Sequence, residues 1–288
     1  NNSLYAFQAP DTNSSVQPSA RPIWQVTKDL LGEPLDYDYM TMDSWFLGYN
    51  ICPLIGIIAT PVIDRTRMTV YVTAKSGNRD AQSYRLFAID LLTGKLKHPP
   101  EDNPREINAT YQGYKFDPTY ELQRASLLEA NDRIYIAFGS HQDTNPLGHR
   151  SHGWLLAYDA ENLNPVAAYC TTCGNTQSDP FGGGIWQAGA GPAADPDGNI
   201  YVMSGNGNTG DDTYERACES GNVPDQKTYR DLGTSFIKLD KDLKPLGAWT
   251  PANFKCLNDT DADLGSAGPT YVPELSVLFG GGKEGVLY

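Results

Sequence analysis

Short segments rich in apolar residues and bounded by polar turns recur along the whole chain and predict β-strands that bury both faces, whereas no long stretch has the 3.6-residue period of an amphipathic helix. The segments recur in one order. A strand reaching a Pro or an acidic turn is followed by a strand centred on Tyr, and then by an apolar strand that runs through Asp into an outer strand. A repeat whose copies each supply four strands indicates an all-β fold, a β-propeller built from four-stranded blades.

Three whole copies of the repeat predict three blades, at about residues 54–100, 123–170 and 184–250. The ends of the chain, residues 1–26 and 266–288, each match half of a blade. We therefore expect the whole chain to form a single propeller region of three blades with a half-blade at each end. Half-blades expose unpaired strand edges, so we also expect the region to be part of a larger propeller.

Composition supports this reading and excludes two classes of partner. The 28 Gly, 20 Pro and 17 Tyr residues suit short strands joined by turns. A formal net charge of −13 argues against nucleic-acid binding, which needs clustered Lys and Arg. No apolar run approaches the roughly 20 residues that span a bilayer. We expect neither a nucleic-acid partner nor a membrane span.

Four glycosylation sequons predict N-linked glycans and hence a secreted, extracellular protein. They begin at Asn1, Asn13, Asn108 and Asn258. Long loops separate the predicted blades, and loops of this length commonly carry function or contact a partner. Self-assembly or binding of an extracellular protein is therefore expected of these loops.

The five cysteines favour disulfides in an oxidising compartment. Cys170 and Cys173 enclose two threonines, and they are expected to pair with each other or with Cys218 or Cys256. The alternative for this pair is a redox-active site, although such sites usually open a helix and this one follows a strand-like run. The odd number leaves one cysteine unpaired or paired outside the chain, and Cys52 stands alone in its segment.

One copy of the repeat, Ala88-Ile-Asp-Leu-Leu-Thr-Gly94, resembles the blade signature of quinoprotein alcohol dehydrogenases. That family forms eight-bladed propellers around pyrroloquinoline quinone (PQQ) and calcium, so the resemblance implies that the chain is part of an eight-bladed propeller. The family signature ends in a Trp that docks one blade on the next. Trp24 and Trp249 occupy similar outer-strand places, and we interpret both as core packing.

The resemblance is most specific where Gly182-Gly-Gly-Ile-Trp186 is followed by a strand and then by Gly205-Asn206-Gly207. In the family, the Trp forms the floor beneath the cofactor ring and the Asn ligates calcium. The resemblance therefore implies cofactor binding by Trp186 with Gly183 and Gly184, and metal binding by Asn206. A planar indole suits stacking on a quinone, and an amide oxygen is a hard ligand that suits calcium.

Carboxylates in two loops complete the site that the resemblance implies. Asp143 lies in the loop where the family supplies a Glu ligand, and Asp263 is the nearest match to the catalytic aspartate, which would act as general base. Asp259, Asp261 and Asp263 also alternate as calcium-loop carboxylates do, which makes Asp261 a further candidate metal ligand. The alternative is a solvated acidic loop that binds no metal.

A histidine-rich loop carries a second set of candidate ligands. His141, His149 and His152 share this loop, and neutral imidazoles bind transition metals. Their spacing fits no standard zinc pattern, so we interpret the segment as a polar loop with a metal site as the alternative.

Three functions follow from these features. The family's Glu ligand and its adjacent-cysteine disulfide have no counterpart here, which favours a secreted, N-glycosylated propeller with a degraded cofactor site that binds no cofactor. Such a protein would act as an extracellular binding or structural scaffold. The first alternative is a PQQ- and calcium-dependent oxidoreductase of alcohols or sugars. The second is a subunit of an extracellular glycoprotein polymer.

Overall fold

The computed structural model describes residues 1–9, 20–36, 51, 53–78, 80–97, 103–141, 151–174, 181–207 and 231–288. Two compact units divide the chain, Asn1–Ile107 and Asn108–Tyr288. Strands dominate both units, as the repeat predicted, and the helices are short. Among the described residues, no helix has the length and apolar character needed to cross a membrane.

The first unit contains three antiparallel sheets. Its elements are β1 (Leu4–Ala6), β2 (Trp24–Val26), α1 (Lys28–Leu31), β3 (Leu35–Asp36), β4 (Leu54–Ile55), β5 (Val62–Asp64), β6 (Thr69–Gly77), β7 (Gln82–Asp90) and β8 (Arg105–Glu106). β1 pairs with β2, β3 pairs with β4, and the order β5-β6-β7-β8 makes a four-stranded meander. The meander lies in the first predicted blade, and the β1–β2 pair lies in the first predicted half-blade.

The outer strand of the first meander is split into two pieces. Residues 95–97 pair with residues 88–90 through backbone hydrogen bonds and one isolated bridge, while β8 pairs further along β7 at Arg85 and Leu86. The second piece therefore lies beyond residue 100, where the predicted blade ended. A tight turn after Asp90 reverses the chain and leads into the first, short piece.

Trp24 packs on that turn as the blade signature implied. Its Nε1 donates to the Leu91 carbonyl at 2.9 Å, and a methyl group at Gly94 would come within 2.9 Å of the indole. Gly94 has φ +70°, a backbone conformation that favours glycine. Trp249 differs, since 45% of it is exposed and its ring contacts Phe236 and Tyr288 at the sheet surface. The core-packing interpretation was wrong for this second tryptophan.

The second unit contains two larger sheets and two hairpins. Its strands are β9 (Thr110–Tyr111), β10 (Tyr114–Lys115), β11 (Glu121–Leu122), β12 (Leu128–Ala130), β13 (Arg133–Ser140), β14 (Trp154–Asp159), β15 (Pro165–Cys170), β16 (Ala193–Ala194), β17 (Ile200–Met203), β18 (Phe236–Leu239), β19 (Pro245–Trp249), β20 (Thr270–Val272) and β21 (Val277–Phe279). β13 pairs on one side with both β11 and β12, and the sheet continues through β14 to β15. The second sheet is the meander β16-β17-β18-β19, and the hairpins are β9–β10 and β20–β21.

Helical structure in the second unit lies in the connections. α2 (Phe254–Asp259) follows β19, and 3₁₀ turns cover Gln187–Gly189, Leu264–Ser266 and Pro273–Leu275. The helix lies in one of the long loops predicted between the blades. Buried Phe254 and Leu257 anchor it through one apolar face.

One core joins the two larger sheets of the second unit. Apolar side chains of β13 and β14 pack with those of β17 and β18, so each sheet buries its inner strands against the next, as in stacked blades. At the end of the third strand of each large sheet in both units, an aspartate carboxylate accepts two backbone N–H groups from the residues that follow. These aspartates are Asp90, Asp159 and Asp240.

Candidate functional site

Trp186 lies in a gap left by three glycines of the second unit. A methyl group at Gly139, Gly184 or Gly205 would come within 2.8, 2.9 or 3.0 Å of its indole. The backbone can approach the ring this closely only because these positions lack a side chain. The glycine backbones pack closely against the indole, which is partly exposed.

The glycine segment before Trp186 is fixed by hydrogen bonds from both sides. Gly182 and Gly183 have φ +79° and +67°, which suit glycine, and Gly183 N donates to the Asn206 carbonyl at 2.6 Å. On the other side, the hydroxyl groups of Thr171 and Thr172 donate to the Gly183 and Gly182 carbonyls, each at 2.8 Å. This clasp holds the segment against the strand that leads to Asn206.

Asn206 carries a buried oxygen that no hydrogen bond satisfies. The residue is 9% exposed, and its Nδ2 donates to Asp261 Oδ1 at 3.4 Å, whereas its Oδ1 has no hydrogen-bond partner among the described residues. A buried acceptor without a partner costs about 1–3 kcal/mol. Such a cost is explained where the oxygen serves a ligand.

Asp263 carries a second oxygen of this kind. The residue is 6% exposed, and its Oδ1 has no hydrogen-bond partner, while its Oδ2 lies 2.5 Å from Lys283 Nζ. Burial raises the pKa of Asp263, and the nearby Lys283 ammonium offsets only part of this effect. A raised pKa makes this carboxylate a stronger base than an ordinary aspartate.

Lys283 links the two aspartates and was missed in the sequence, where it stands in a glycine-rich turn. Its Nζ lies 3.1 Å from Asp261 Oδ2, and its backbone N donates to the Asp263 carbonyl at 3.0 Å. Burial by itself would lower the pKa of Lys283, but the carboxylates of Asp263 and Asp261 outweigh it and raise this pKa. A stretch of about twenty residues separates Lys283 from Asp263, and no local spacing in the chain signals the contact.

The segment that contains Asp263 also contacts Gly205, one of the three glycines that pack against Trp186. A methyl group at Gly265 would come within 2.8 Å of the Gly205 backbone N, and Gly205 N donates to the Gly184 carbonyl at 2.8 Å. The predicted residues Gly183, Gly184, Trp186, Asn206, Asp261 and Asp263 therefore lie in one region of the second unit.

The three alternating carboxylates do not form a calcium loop of their own. α2 ends at Asp259, which is exposed, and Asp261 has φ +56°, so the chain turns between the two residues. Within the described ranges, these aspartates do not make a group of three convergent metal ligands. The structure thus pairs Asp261 with Asp263 through Lys283 and leaves Asp259 outside.

The comparisons with known proteins bear on the fold. No family model and no curated protein sequence matches the chain. A quinohemoprotein alcohol dehydrogenase from Pseudomonas putida HK5 matches with a TM-score of 0.52 and 17% identity, over 93% of this chain and 35% of that one. The chain shares its fold with part of that dehydrogenase. The quinohemoprotein alcohol dehydrogenase from Comamonas testosteroni matches with a TM-score of 0.42 and 16% identity, over 79% of this chain and 40% of that one.

This likeness confirms the β-propeller character inferred from the repeat and from Ala88–Gly94. The chain spans about a third of the length of the Pseudomonas dehydrogenase. The number of blades in the intact ring stays a prediction.

Several predicted residues lie outside the described residues: Asn13, Cys52, Asp143, His149 and Cys218. The predicted pair of Cys170 and Cys173 forms a disulfide with a Cα–Cα distance of 5.5 Å, and Cys256 is also disulfide-bonded.

The described sequon asparagines differ in environment. Asn1 and Asn108 are exposed. Asn258 is half-buried in α2, where its Oδ1 accepts from Thr234 Oγ1 at 2.5 Å and its Nδ2 donates to the Gly207 carbonyl at 3.2 Å.

Proposed function

We propose that the chain forms part of a quinone- and calcium-dependent oxidoreductase that acts on alcohols or sugars. The observation that carries the proposal is the pair of buried oxygens, Asn206 Oδ1 and Asp263 Oδ1, that have no hydrogen-bond partner in the region of Trp186. The shared fold with a quinohemoprotein alcohol dehydrogenase adds support.

The donor types fit the proposed cofactors. Calcium prefers amide and carboxylate oxygens and takes about six to eight of them, so Asn206 and the aspartates would supply part of its shell. Trp186, held by its three glycines, offers a flat surface of the right kind for a planar quinone. A bound quinone would supply the electron acceptor, and calcium would polarise it.

The residues of the chain would bind the substrate hydroxyl and accept its proton. Asp263 is suited to the role of general base because its pKa is raised and its Oδ1 is uncommitted. Lys283 would hold the Asp263 carboxylate in place through Oδ2 and leave Oδ1 to face the hydroxyl. Trp186 and the glycine segment would set the position of the ring against which the substrate lies.

One observation favours the scaffold predicted from the sequence. The Lys283 ammonium contacts both Asp261 and Asp263 and so offsets one of their two negative charges. A propeller whose acidic pair is held by a lysine in this way could act through its surface alone. The polymer subunit stays a prediction.

The two functions separate in a reconstitution experiment on the natively purified protein. We would add PQQ and Ca²⁺, remove the unbound fraction, and quantify the released quinone by mass spectrometry and calcium by elemental analysis. The oxidoreductase is expected to retain about one of each per chain. Trp186→Ala should weaken quinone retention, and Trp249→Ala is the matched control because this tryptophan is half-exposed and contacts Phe236 and Tyr288.

Two further variants assign the roles. Asn206→Ala should lower calcium retention, whereas Asp263→Asn should keep the quinone bound yet slow alcohol oxidation by about 10²- to 10⁴-fold. Retention of neither cofactor by the wild-type protein would overturn the oxidoreductase and favour the scaffold.

A further inference from the structure

A second cluster of metal-ligating side chains lies in the second unit, apart from the carboxylates of the proposed site. His152, Cys170 and Cys173 each offer one ligand atom, and these atoms all lie within 4.8 Å of one another. All three side chains are buried, at 5%, 3% and 0% exposure. In the structure, the two cysteines form a disulfide.

The sheet brings the three residues together. Trp154 at the start of β14 pairs with Cys170 at the end of β15, so the residue two positions before Trp154 lies beside the turn that follows Cys170. The His152 backbone N donates to Glu121 Oε1 at 3.0 Å, and a bridge joins His152 to Gly182. The backbone on both sides of the cluster is therefore fixed by strand pairing.

Hydrogen bonding sets the tautomer of the imidazole. Thr172 has a single hydroxyl hydrogen, and it donates this hydrogen to the Gly182 carbonyl at 2.8 Å. The His152 Nδ1 at 2.9 Å from Thr172 Oγ1 must then be the donor, so the ring is the neutral tautomer that carries its proton on Nδ1. An imidazole whose other nitrogen donates to a fixed acceptor is the usual arrangement of a histidine that binds a metal.

We propose that reduction of the Cys170–Cys173 disulfide converts this cluster into a buried Zn²⁺ site with two thiolate ligands and one imidazole ligand. A Cys-x-x-Cys spacing and a neutral histidine match the ligand types of zinc, and three protein ligands leave the fourth tetrahedral position for a water molecule. The ligands of this site are distinct from the residues proposed to bind quinone and calcium, so the proposal does not rest on the oxidoreductase function.

The conversion balances with a dithiol as reductant. The dithiol gives two electrons and two protons, the Sγ–Sγ bond breaks, and two thiols form while the dithiol closes to its own disulfide. Each thiol then releases its proton to solvent as its sulfur ligates Zn²⁺, so metal binding is tighter at higher pH.

The chain also connects this cluster to Trp186. Thr171 and Thr172, the two residues enclosed by the cysteines, bond the carbonyls of Gly183 and Gly182. The disulfide therefore holds the clasp on the glycine segment, and a metal ion ligated by the same cysteines would hold it in the reduced protein.

The test titrates Co²⁺, a spectroscopic substitute for Zn²⁺, into the protein before and after reduction by a phosphine, followed by competition with Zn²⁺. The reduced protein is expected to bind one equivalent with the visible absorption of tetrahedral thiolate coordination, and the oxidised protein is expected to show no such band. His152→Ala should weaken binding by more than about 100-fold, and Thr172→Val by about 10- to 100-fold, because it removes the partner of Nδ1 but leaves all three ligands in place.

Two controls keep the result specific. His141→Ala removes a histidine outside the cluster and should leave the band unchanged. The double variant Cys170→Ser with Cys173→Ser retains the other three cysteines, so a full band in this variant would overturn the proposal. Absence of any band in the reduced wild type would overturn it as well.

A stability measurement covers the case in which the reduced chain unfolds. Zn²⁺ should raise the thermal midpoint of the reduced wild type, or restore its circular dichroism if the metal-free form is unfolded, because a ligand that binds only the native state stabilises it. The same addition should have little effect on His152→Ala. Equal effects of Zn²⁺ on both proteins would contradict the proposal. Because no quinone is present, the outcome does not depend on the proposed function.

Discussion

Lys283 Nζ lies 2.5 Å from Asp263 Oδ2, and this contact places a cation against the most buried carboxylate of the candidate site. The same ammonium contacts Asp261 Oδ2 at 3.1 Å. Because Asp263 Oδ1 has no hydrogen-bond partner, Lys283 holds one oxygen of the carboxylate and leaves the other uncommitted. Asp263 is the candidate base because one carboxylate oxygen is held by Lys283 and the other can accept a proton.

Removal of this cation should make stability more dependent on pH. Burial raises the pKa of Asp263 above its ordinary value of 3.8, so the native state holds the proton more tightly than the unfolded state, and stability falls as pH rises from 3.8 through the raised pKa. Lys283→Met should widen the range of pH over which stability falls. We expect a loss of about 1–3 kcal/mol at pH 7, toward the lower end because 45% of the Lys283 side chain is exposed.

Urea unfolding of Lys283→Met at several pH values measures this effect. The difference from wild type should shrink below pH 3.8, where Asp263 is protonated and needs no cation. Lys244→Met removes an exposed lysine of the same unit and serves as control. An equal loss at low and neutral pH would show that the lysine acts through packing instead.

Gly139→Ala should displace the Trp186 ring while leaving the tryptophan itself unchanged. The new methyl group would lie 2.8 Å from Trp186 Cδ2, so the ring or the strand must move, at a cost of about 1–3 kcal/mol. Gly247→Ala is the matched control, because no atom lies within 4 Å of the methyl group it introduces. Its effect should stay within about 0.5 kcal/mol.

Chemical denaturation and quinone retention report on Gly139→Ala together. The variant should lose stability and retain less quinone than Gly247→Ala. Unchanged quinone retention in a destabilised Gly139→Ala protein would show that the glycines around Trp186 do not determine quinone binding.

Asp195 should stabilise the second unit in a pH-dependent way. Burial opposes its ionisation, but hydrogen bonds from Asn199 and Tyr201 outweigh burial and lower the pKa of Asp195. A lowered pKa gives stability that is present above the ordinary value of 3.8 and lost as pH falls through the folded value. Asp195→Asn should cost about 1–3 kcal/mol at pH 7 and flatten the acid limb of the stability curve.

Acid titration followed by circular dichroism compares Asp195→Asn with Asp197→Asn, a substitution of an exposed aspartate in the same turn. Only the first variant should flatten the acid limb. Parallel curves for the two variants would refute the role of the buried carboxylate.

Glycan occupancy should differ among the described sequons. Asn108 is exposed, whereas Asn258 is half-buried with both amide atoms hydrogen-bonded, so an attached glycan would disturb the bonds to Thr234 and Gly207. We expect occupancy at Asn108 to exceed that at Asn258 when the protein passes through a eukaryotic secretory pathway. Glycopeptide mass spectrometry measures both sites in one digest, and full occupancy at Asn258 would contradict this expectation.

The strands and turns were determined by the sequence itself, because they depend on residues that are close along the chain. Apolar runs such as those of β13 and β14 form strands that are buried on both faces, and an Asp at the end of a strand caps the turn that follows, as at Asp90 and Asp159. The disulfide between Cys170 and Cys173 belongs to the same local order, since one turn joins the two cysteines.

Only the tertiary structure decided which distant groups meet. Lys283 reaches Asp263, Gly139 faces Trp186, and His152 joins the cysteine pair, although long stretches of chain separate the members of each pair. Each contact depends on how one sheet or loop packs against the next, and the energy of that packing is spread over many side chains. For this reason the strands and the candidate residues Trp186, Asn206 and Asp263 could be predicted from the sequence. The contact of Lys283 with Asp263 and the second ligand cluster could be identified only in the folded molecule.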